Sequence, residues 1–283
     1  QADQQGKVPL LQRLDGSLTG NYAEIDELLR TEWEKTFCLY TSIPRPAWEY
    51  FQSRYGRYLP RPPPMQHTAL TPQRLLEVLR KMDANTSIGP DGWRVSELRK
   101  LPTALLQRLC DLLSSMEQYG KWPEALTVGL VAPLPKGGGL GPADVRPITV
   151  TSVLYRLWAA CRVQDLIAWQ VTWLDPAICS YRPDRGCEDI WVKQALAVEH
   201  ALLFNKPICG FSADLAKAFD RVPVHILLAL ADQLGVDASV TTALKSMYNQ
   251  LERRWKTGPF VGKAFPSTNG ILQGCPLSVV LLN

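Results

Sequence analysis

Apolar residues recur at helical spacing from Tyr22 to Phe37, where Ile25, Leu28, Leu29, Trp33 and Phe37 share a side and acids lie between them, which predicts an amphipathic helix. Thr71-Pro72 supplies an N-cap and a first-turn proline for a second helix, with Leu75, Leu76, Val78 and Leu79 on its apolar side. Gly89-Pro90-Asp91-Gly92 then breaks the chain with a turn. A third helix, Ala104 to about Tyr119, stops at Gly120. Thr127 to Pro133 reads as a strand, Gly137-Gly138-Gly139 as a mobile tip, and Val145 to Val150 as a returning segment. Ser152 caps a long helix to about Trp169, and another runs from Cys187 or Glu188 to Phe204. An apolar run of strand length starts at Ile208 and ends on Asp214. Helices over His225–Leu234 and Ser239 to about Leu251 precede a hairpin over Arg253–Leu272, whose return strand holds Phe265 and Ile271. Helices outnumber strands, and strands occur singly between them. That is an α/β or α+β pattern without internal repeat.

One stretch resists this periodicity. Pro44 to Pro64 is rich in Pro, Arg and Tyr and reads as a linker that forms neither a helix nor a central strand. Charge makes it more than a spacer. The whole chain has a net charge of +4, yet between Arg45 and Lys81 seven bases face only Glu49 and Glu77, a local excess of +5. Tyr50, Phe51, Tyr55 and Tyr58 are interleaved with the arginines. Such a segment suits a nucleic-acid strand through phosphate contacts and base stacking, or it is a solvated linker. Seven cysteines without a Cys-x-x-Cys pair, several of them in apolar surroundings such as Cys110, Cys161 and Cys209, read as buried reduced thiols in a reducing compartment. His67, His200 and His225 are far apart and form no zinc pattern with them. There is no apolar run of about 18 residues for a membrane span and no leader of signal-peptide type. An intracellular protein, nuclear or cytoplasmic and without a membrane partner, is expected. The chain lacks an initiator Met and stops within a helical pattern at Asn283, so it reads as a fragment of a longer polypeptide.

The candidate chemistry centres on Asp214. A carboxylate at the end of a buried strand is costly to ionise unless a cation or hydrogen bonds compensate it. Phe219 follows small Ala218, and Asp220 adds a second acid at what reads as a helix start, where the dipole favours it. Taken alone, the stretch is a strand-to-helix turn with two solvated acids. Two other stretches change that reading. Asp214 to Val222 resembles the first catalytic motif of reverse transcriptases in the version carried by non-LTR retrotransposons. Arg146-Pro147-Ile148-Thr149, preceded by Leu134-Pro135-Lys136-Gly137, resembles the fingers motif of that family. Gly270-Ile271-Leu272-Gln273-Gly274-Cys275-Pro276-Leu277-Ser278 resembles its second palm motif, and Gly89-Pro90-Asp91-Gly92 also has a counterpart at the start of its fingers.

The resemblance implies an α+β right-hand polymerase fold, helix-rich with a small antiparallel sheet. Residues 1–64 would form an N-terminal extension, 65–205 the fingers and 206–283 a partial palm. It implies RNA-directed DNA synthesis by a pair of Mg²⁺ ions, using RNA template, DNA primer or target, and deoxynucleoside triphosphates. Asp214 matches the first metal ligand, with the carbonyl of Leu215 beside it. Arg146 and Lys136 resemble the cations that grip the triphosphate, a task that suits the planar guanidinium fork. Phe219 resembles the ring that lies under the sugar and excludes a 2′-hydroxyl. Gln273 resembles the pocket residue that donates to sugar or phosphate, and Gly274 the position where backbone approaches the template-primer base pair. The family's next motif, an aromatic followed after one residue by two aspartates, does not occur in this sequence. A catalytically inactive fragment is therefore expected, with an endonuclease upstream and a thumb downstream in the full polypeptide. The rival readings are a decayed retroelement relic that at most binds RNA, and another palm polymerase such as an intron-encoded maturase or an RNA-directed RNA polymerase.

Overall fold

Most of the periodic segments fold as helices at the expected bounds. The computed structural model describes residues 10–283; the first nine residues of the expected N-terminal extension lie outside it. The elements in order are β1 (Leu11–Gln12), β2 (Leu18–Thr19), α1 (Tyr22–Phe37), α2 (Leu39–Ser42), α3 (Trp48–Tyr55), α4 (Pro72–Lys81), α5 (Val95–Leu98) and α6 (Thr103–Tyr119). Then come β3 (Val128–Pro135), β4 (Val145–Val150), α7 (Val153–Gln170), α8 (Cys187–Leu203), α9 (Ala218–Arg221), α10 (Val224–Leu234), α11 (Ala238–Gln250), β5 (Glu252–Thr257), β6 (Phe260–Phe265) and α12 (Pro276–Val280). Capping fixes several starts. Asn21 accepts from Ala23 and Glu24 backbone N–H at α1, and Thr71 accepts from Arg74 N–H at α4. Asp91, from the Gly-Pro-Asp-Gly turn, accepts from Ser152 Oγ at 2.6 Å and from Val153 N at 3.0 Å, so this turn joins Ser152 in capping α7.

Two layers meet in the structure. Four strands in the order β4-β3-β5-β6 form the principal sheet. The small antiparallel sheet expected from sequence is mixed: β3 pairs antiparallel with β4 but parallel with β5, Val131 standing beside Trp255. The crossover from β3 to β5 carries the intervening helices, which is what lets two strands run parallel. Helix α1 covers one face of this sheet. Its Ile25, Leu29, Trp33 and Phe37 form a core with Val131, Val145 and Trp255. The N-terminal residues from Leu11 to Phe37 are therefore part of the fold.

A second, larger core joins α4, α6, α7, α10, α11 and α12. At its centre the helices share buried charges. Arg162 on α7 donates to both carboxylate oxygens of Glu117 on α6 at 2.5 and 2.7 Å, and to Asp165 at 2.8 Å. Asp165 also accepts from Arg74 of α4 at 2.8 Å, and Trp158 Nε1 donates to Glu117 at 2.6 Å. Two cations and two anions thus neutralise one another in a largely buried setting.

Other sequence expectations need correction as well: the return strand of the Arg253–Leu272 hairpin, β6, ends at Phe265 and does not include Ile271. Pro44–Pro64 contains a helix, α3, because its prolines all fall outside Trp48–Tyr55. Within that window Trp48 stacks on Phe51 and Phe51 meets Tyr55 at a tilt, with ring centroids 5.6 and 5.1 Å apart, the spacing at which helical neighbours meet. The run from Ile208 to Asp214 forms no strand. A strand needs a partner for its backbone N–H and C=O groups, and the principal sheet offers this run none. Cys209, on the same run, is exposed rather than buried.

The buried charge knot yields a stability prediction. Arg162→Met leaves Glu117 buried without its cation and Asp165 with Arg74 alone, and unfolding free energy should fall by about 3–5 kcal/mol. Arg108→Ala removes only an exposed contact with Asp111 at 4.0 Å, and should cost about 0–1 kcal/mol. Urea denaturation of the two variants measures the difference; equal small losses would remove the knot from the account of stability.

Candidate active site

The loop after β6 gathers chain segments that are distant in sequence. Thr268 N donates to Phe37 O at 2.7 Å, attaching the loop to the end of α1. Asn269 is buried and bridges three segments. Its Nδ2 donates to Thr36 O at 2.8 Å and to Asp220 O at 2.7 Å, while its Oδ1 accepts from Leu39 N at 3.0 Å. Gly270 N donates to Val222 O at 2.7 Å and Ile271 N to Phe219 O at 2.8 Å. Gln273 then turns to the sheet, its carbonyl accepting from Thr149 N of β4 at 2.7 Å.

Two glycines make this approach possible. Gly270 has φ +88, and a Cβ there would lie 2.7 Å from Asp220 O. Gly274 has φ +109, and a Cβ would lie 2.7 Å from Thr149 O and 3.4 Å from the Ile148 side chain. Both positions combine a left-handed backbone with a backbone contact too close for any side chain. The clearance at Gly274 thus serves the chain's own β4.

The side chains converge with the backbone. Gln273 Nε2 donates to Asp220 Oδ2 at 2.7 Å. Asp220 sits in a four-residue helical turn and is only 3% exposed, so it belongs to the core rather than to a solvated helix start. Burial raises its carboxyl above the ordinary range, while the Gln273 hydrogen bond and the charges of Arg253 and Lys217 oppose that rise. Arg253 is buried too, its guanidinium 5.1 Å from the Phe37 ring centroid and its Nη2 3.3 Å from Gly270 O. Lys217 adopts φ +53 and places its ammonium 4.1 Å over the Trp33 ring and 3.2 Å from Thr36 Oγ1. Burial lowers its pKa.

Of the residues singled out from sequence, Phe219, Gln273 and Gly274 stand together on this wall, with Phe219 half-buried. Arg146 is exposed on β4, on the same face as Ile148, whose methyl group lies against Gly274. Lys136 is exposed beyond the end of β3, and its N–H donates to Asp144 O at 2.7 Å to close the β3–β4 hairpin. Asp214 and Leu215 are elsewhere in character. They lie on an irregular stretch, with Asp214 exposed and Leu215 77% exposed, so no strand holds that carboxylate rigid. Among the described residues no group of three or more His, Cys, Asp or Glu could hold a metal ion. One exposed carboxylate and one carbonyl do not fit a pair of Mg²⁺ ions, which need several oxygen ligands each.

Sequence reading missed Asn269, Thr149, Arg253 and Lys217, and it gave Asp220 a different role. The repeated glycines at 270 and 274 were the available signal, since each marks a close backbone approach.

Comparisons with known proteins agree with the motifs. The family model described as reverse transcriptase (RNA-dependent DNA polymerase) matches residues 134–283, a span that includes every residue of this wall from β4 to α12. The chain is 25% identical over 207 residues to the retrovirus-related Pol polyprotein from type-2 retrotransposable element R2DM of Drosophila melanogaster, covering 72% of the chain and 19% of that protein. It is also 25% identical over 215 residues to the transposon TX1 uncharacterized 149 kDa protein of Xenopus laevis, covering 75% of the chain and 16% of that protein. The chain thus spans less than a fifth of the length of these relatives. With more than half its length matched, the chain belongs to the reverse transcriptase (RNA-dependent DNA polymerase) family, of the non-LTR retrotransposon type.

Proposed function

We propose that this chain supplies the nucleotide-binding wall of an RNA-directed DNA polymerase that copies an RNA template from a DNA primer or target with deoxynucleoside triphosphates. Residues 65–205 act as fingers and 206–283 as part of a palm, with the N-terminal extension docked on the sheet. The observation that carries the reading is that Gln273 and Gly274 seat against β4, the strand that bears Arg146, while the same loop bonds the Phe219 backbone through Ile271. Each has a fitting task. The Arg146 guanidinium offers paired donors to triphosphate oxygens. The half-buried Phe219 ring forms a floor under the sugar. Gln273 meets the sugar edge, and Lys136 at the hairpin tip adds a second cation as the fingers close. Asp214 and the Leu215 carbonyl would supply at most two oxygens toward Mg²⁺; by themselves they do not fit a pair of ions, and no step runs through them.

A nucleic-acid surface on α3 and the segment after it, to Arg61, belongs to the same reading. Tyr50, Tyr55 and Tyr58 are exposed, and the Arg57 guanidinium lies 4.6 Å from the Tyr58 ring centroid. Arg54 lies 5.7 Å from the Tyr55 ring centroid. Flat rings beside cations suit stacked bases and phosphates of a single strand.

Two outcomes are expected. In the full-length protein, Phe219→Val should raise the ratio of kcat/KM for a ribonucleotide over its deoxynucleotide by at least about tenfold, because a lost steric barrier changes the ratio while a folding defect lowers both substrates together. A fixed ratio with lower thermal stability would make Phe219 a packing residue only. Replacing Arg54, Arg57 and Arg61 together with Ala should flatten the salt dependence of single-stranded RNA affinity, by about 0.7 in log–log slope for each arginine that contacts a phosphate. An unchanged slope returns α3 to the status of a connector.

A further inference from the structure

We infer that Asp220 is a positioning residue for the nucleotide pocket, its carboxylate setting which end of the Gln273 side-chain amide faces the nucleotide. The inference rests on the reading of Gln273 as a pocket residue. An ionised carboxylate can only accept hydrogen bonds, so the amide must turn its NH₂ toward Asp220. The observed contact is of that kind, Gln273 Nε2 to Asp220 Oδ2 at 2.7 Å, a charge-assisted bond stronger than a neutral one. The amide carbonyl Oε1 is thereby left to accept from a hydroxyl donor, which a nucleotide sugar carries and an unprotonated phosphate does not.

Both ends of the lever are fixed. The Gln273 backbone is held by Thr149 N at 2.7 Å. Asp220 is held by Asn269, which donates to its backbone carbonyl at 2.7 Å, and it is 3% exposed. Burial raises its pKa, and the Gln273 hydrogen bond and the charges of Arg253 and Lys217 oppose that rise. Burying a carboxylate is costly unless it is hydrogen-bonded, and the one hydrogen bond this carboxylate accepts from another side chain among the described residues comes from Gln273. Burial keeps Asp220 from touching substrate, whereas half-exposed Gln273 reaches the surface.

Asp220→Asn keeps the shape but lets the neighbouring amide sit either way round. Primer extension by the full-length protein should show KM for a deoxynucleoside triphosphate raised on the order of tenfold, with Tm within a few degrees of wild type. Gln273→Ala should lose at least as much, and the double variant should be no worse than Gln273→Ala alone, because the two residues act as one unit. If Gln273→Ala leaves KM and kcat/KM unchanged, the pocket reading itself fails. If Gln273→Ala is impaired while Asp220→Asn is normal, or if the two losses multiply in the double variant, Asp220 acts only through the fold and the inference is overturned. Should Asp220→Asn not fold, Gln273→Asn keeps an amide that is too short to reach Asp220; wild-type kcat/KM in that variant also overturns the inference, and a loss matching Gln273→Ala supports it.

Discussion

A loop that carries substrate-facing side chains has to borrow rigidity from something already ordered, and here the lender is the outer edge of β4. The hydrogen bond from Thr149 N to Gln273 O, at 2.7 Å, attaches the loop to the sheet. An edge strand presents unpaired backbone groups, and this loop occupies one of them. The contact requires Gly274, because a Cβ at that position would intrude to 2.7 Å from Thr149 O. Arg146, three residues earlier on the same strand, is consequently placed relative to Gln273 by rigid sheet geometry.

The same loop ties the site to the N-terminal helices. Asn269 links Thr36, Leu39 and Asp220 in one buried set of hydrogen bonds, and Lys217 over Trp33 adds a cation–π contact between α1 and the Phe219 turn. Buried polar groups of this kind are stabilising only when fully partnered. Position in the wall therefore depends on α1 being docked on the sheet, through Trp33 and Phe37 against Trp255.

Much of this was legible in the residues. Helices such as Tyr22–Phe37 follow from local periodicity and caps, and Gly274 reads from sequence as a close backbone approach, though to a template-primer base pair rather than to β4. What could not be read was long-range. Ile208–Asp214 has the apolar character of a strand, but strand formation depends on a neighbour that no local pattern specifies, and the run is irregular and exposed, Phe211 being 96% exposed. Asp220 carries the sequence signal of a solvated helix start, yet its partner lies on a loop after β6. The Pro-rich stretch misled in the other direction, since prolines flanking Trp48–Tyr55 concealed a short helix whose aromatic stack needs none of them.

Amide hydrogen exchange at Thr149 tests the central claim most directly. With the loop seated on β4, the Thr149 N–H is shielded by its bond to Gln273 and should exchange slowly in the wild-type protein. Gly274→Ala should unseat the loop and speed exchange at Thr149 by at least about tenfold, while amides shared between β3 and β5 keep their protection. Equally fast exchange at Thr149 in both proteins, or loss of protection across the whole sheet in Gly274→Ala, would contradict the account.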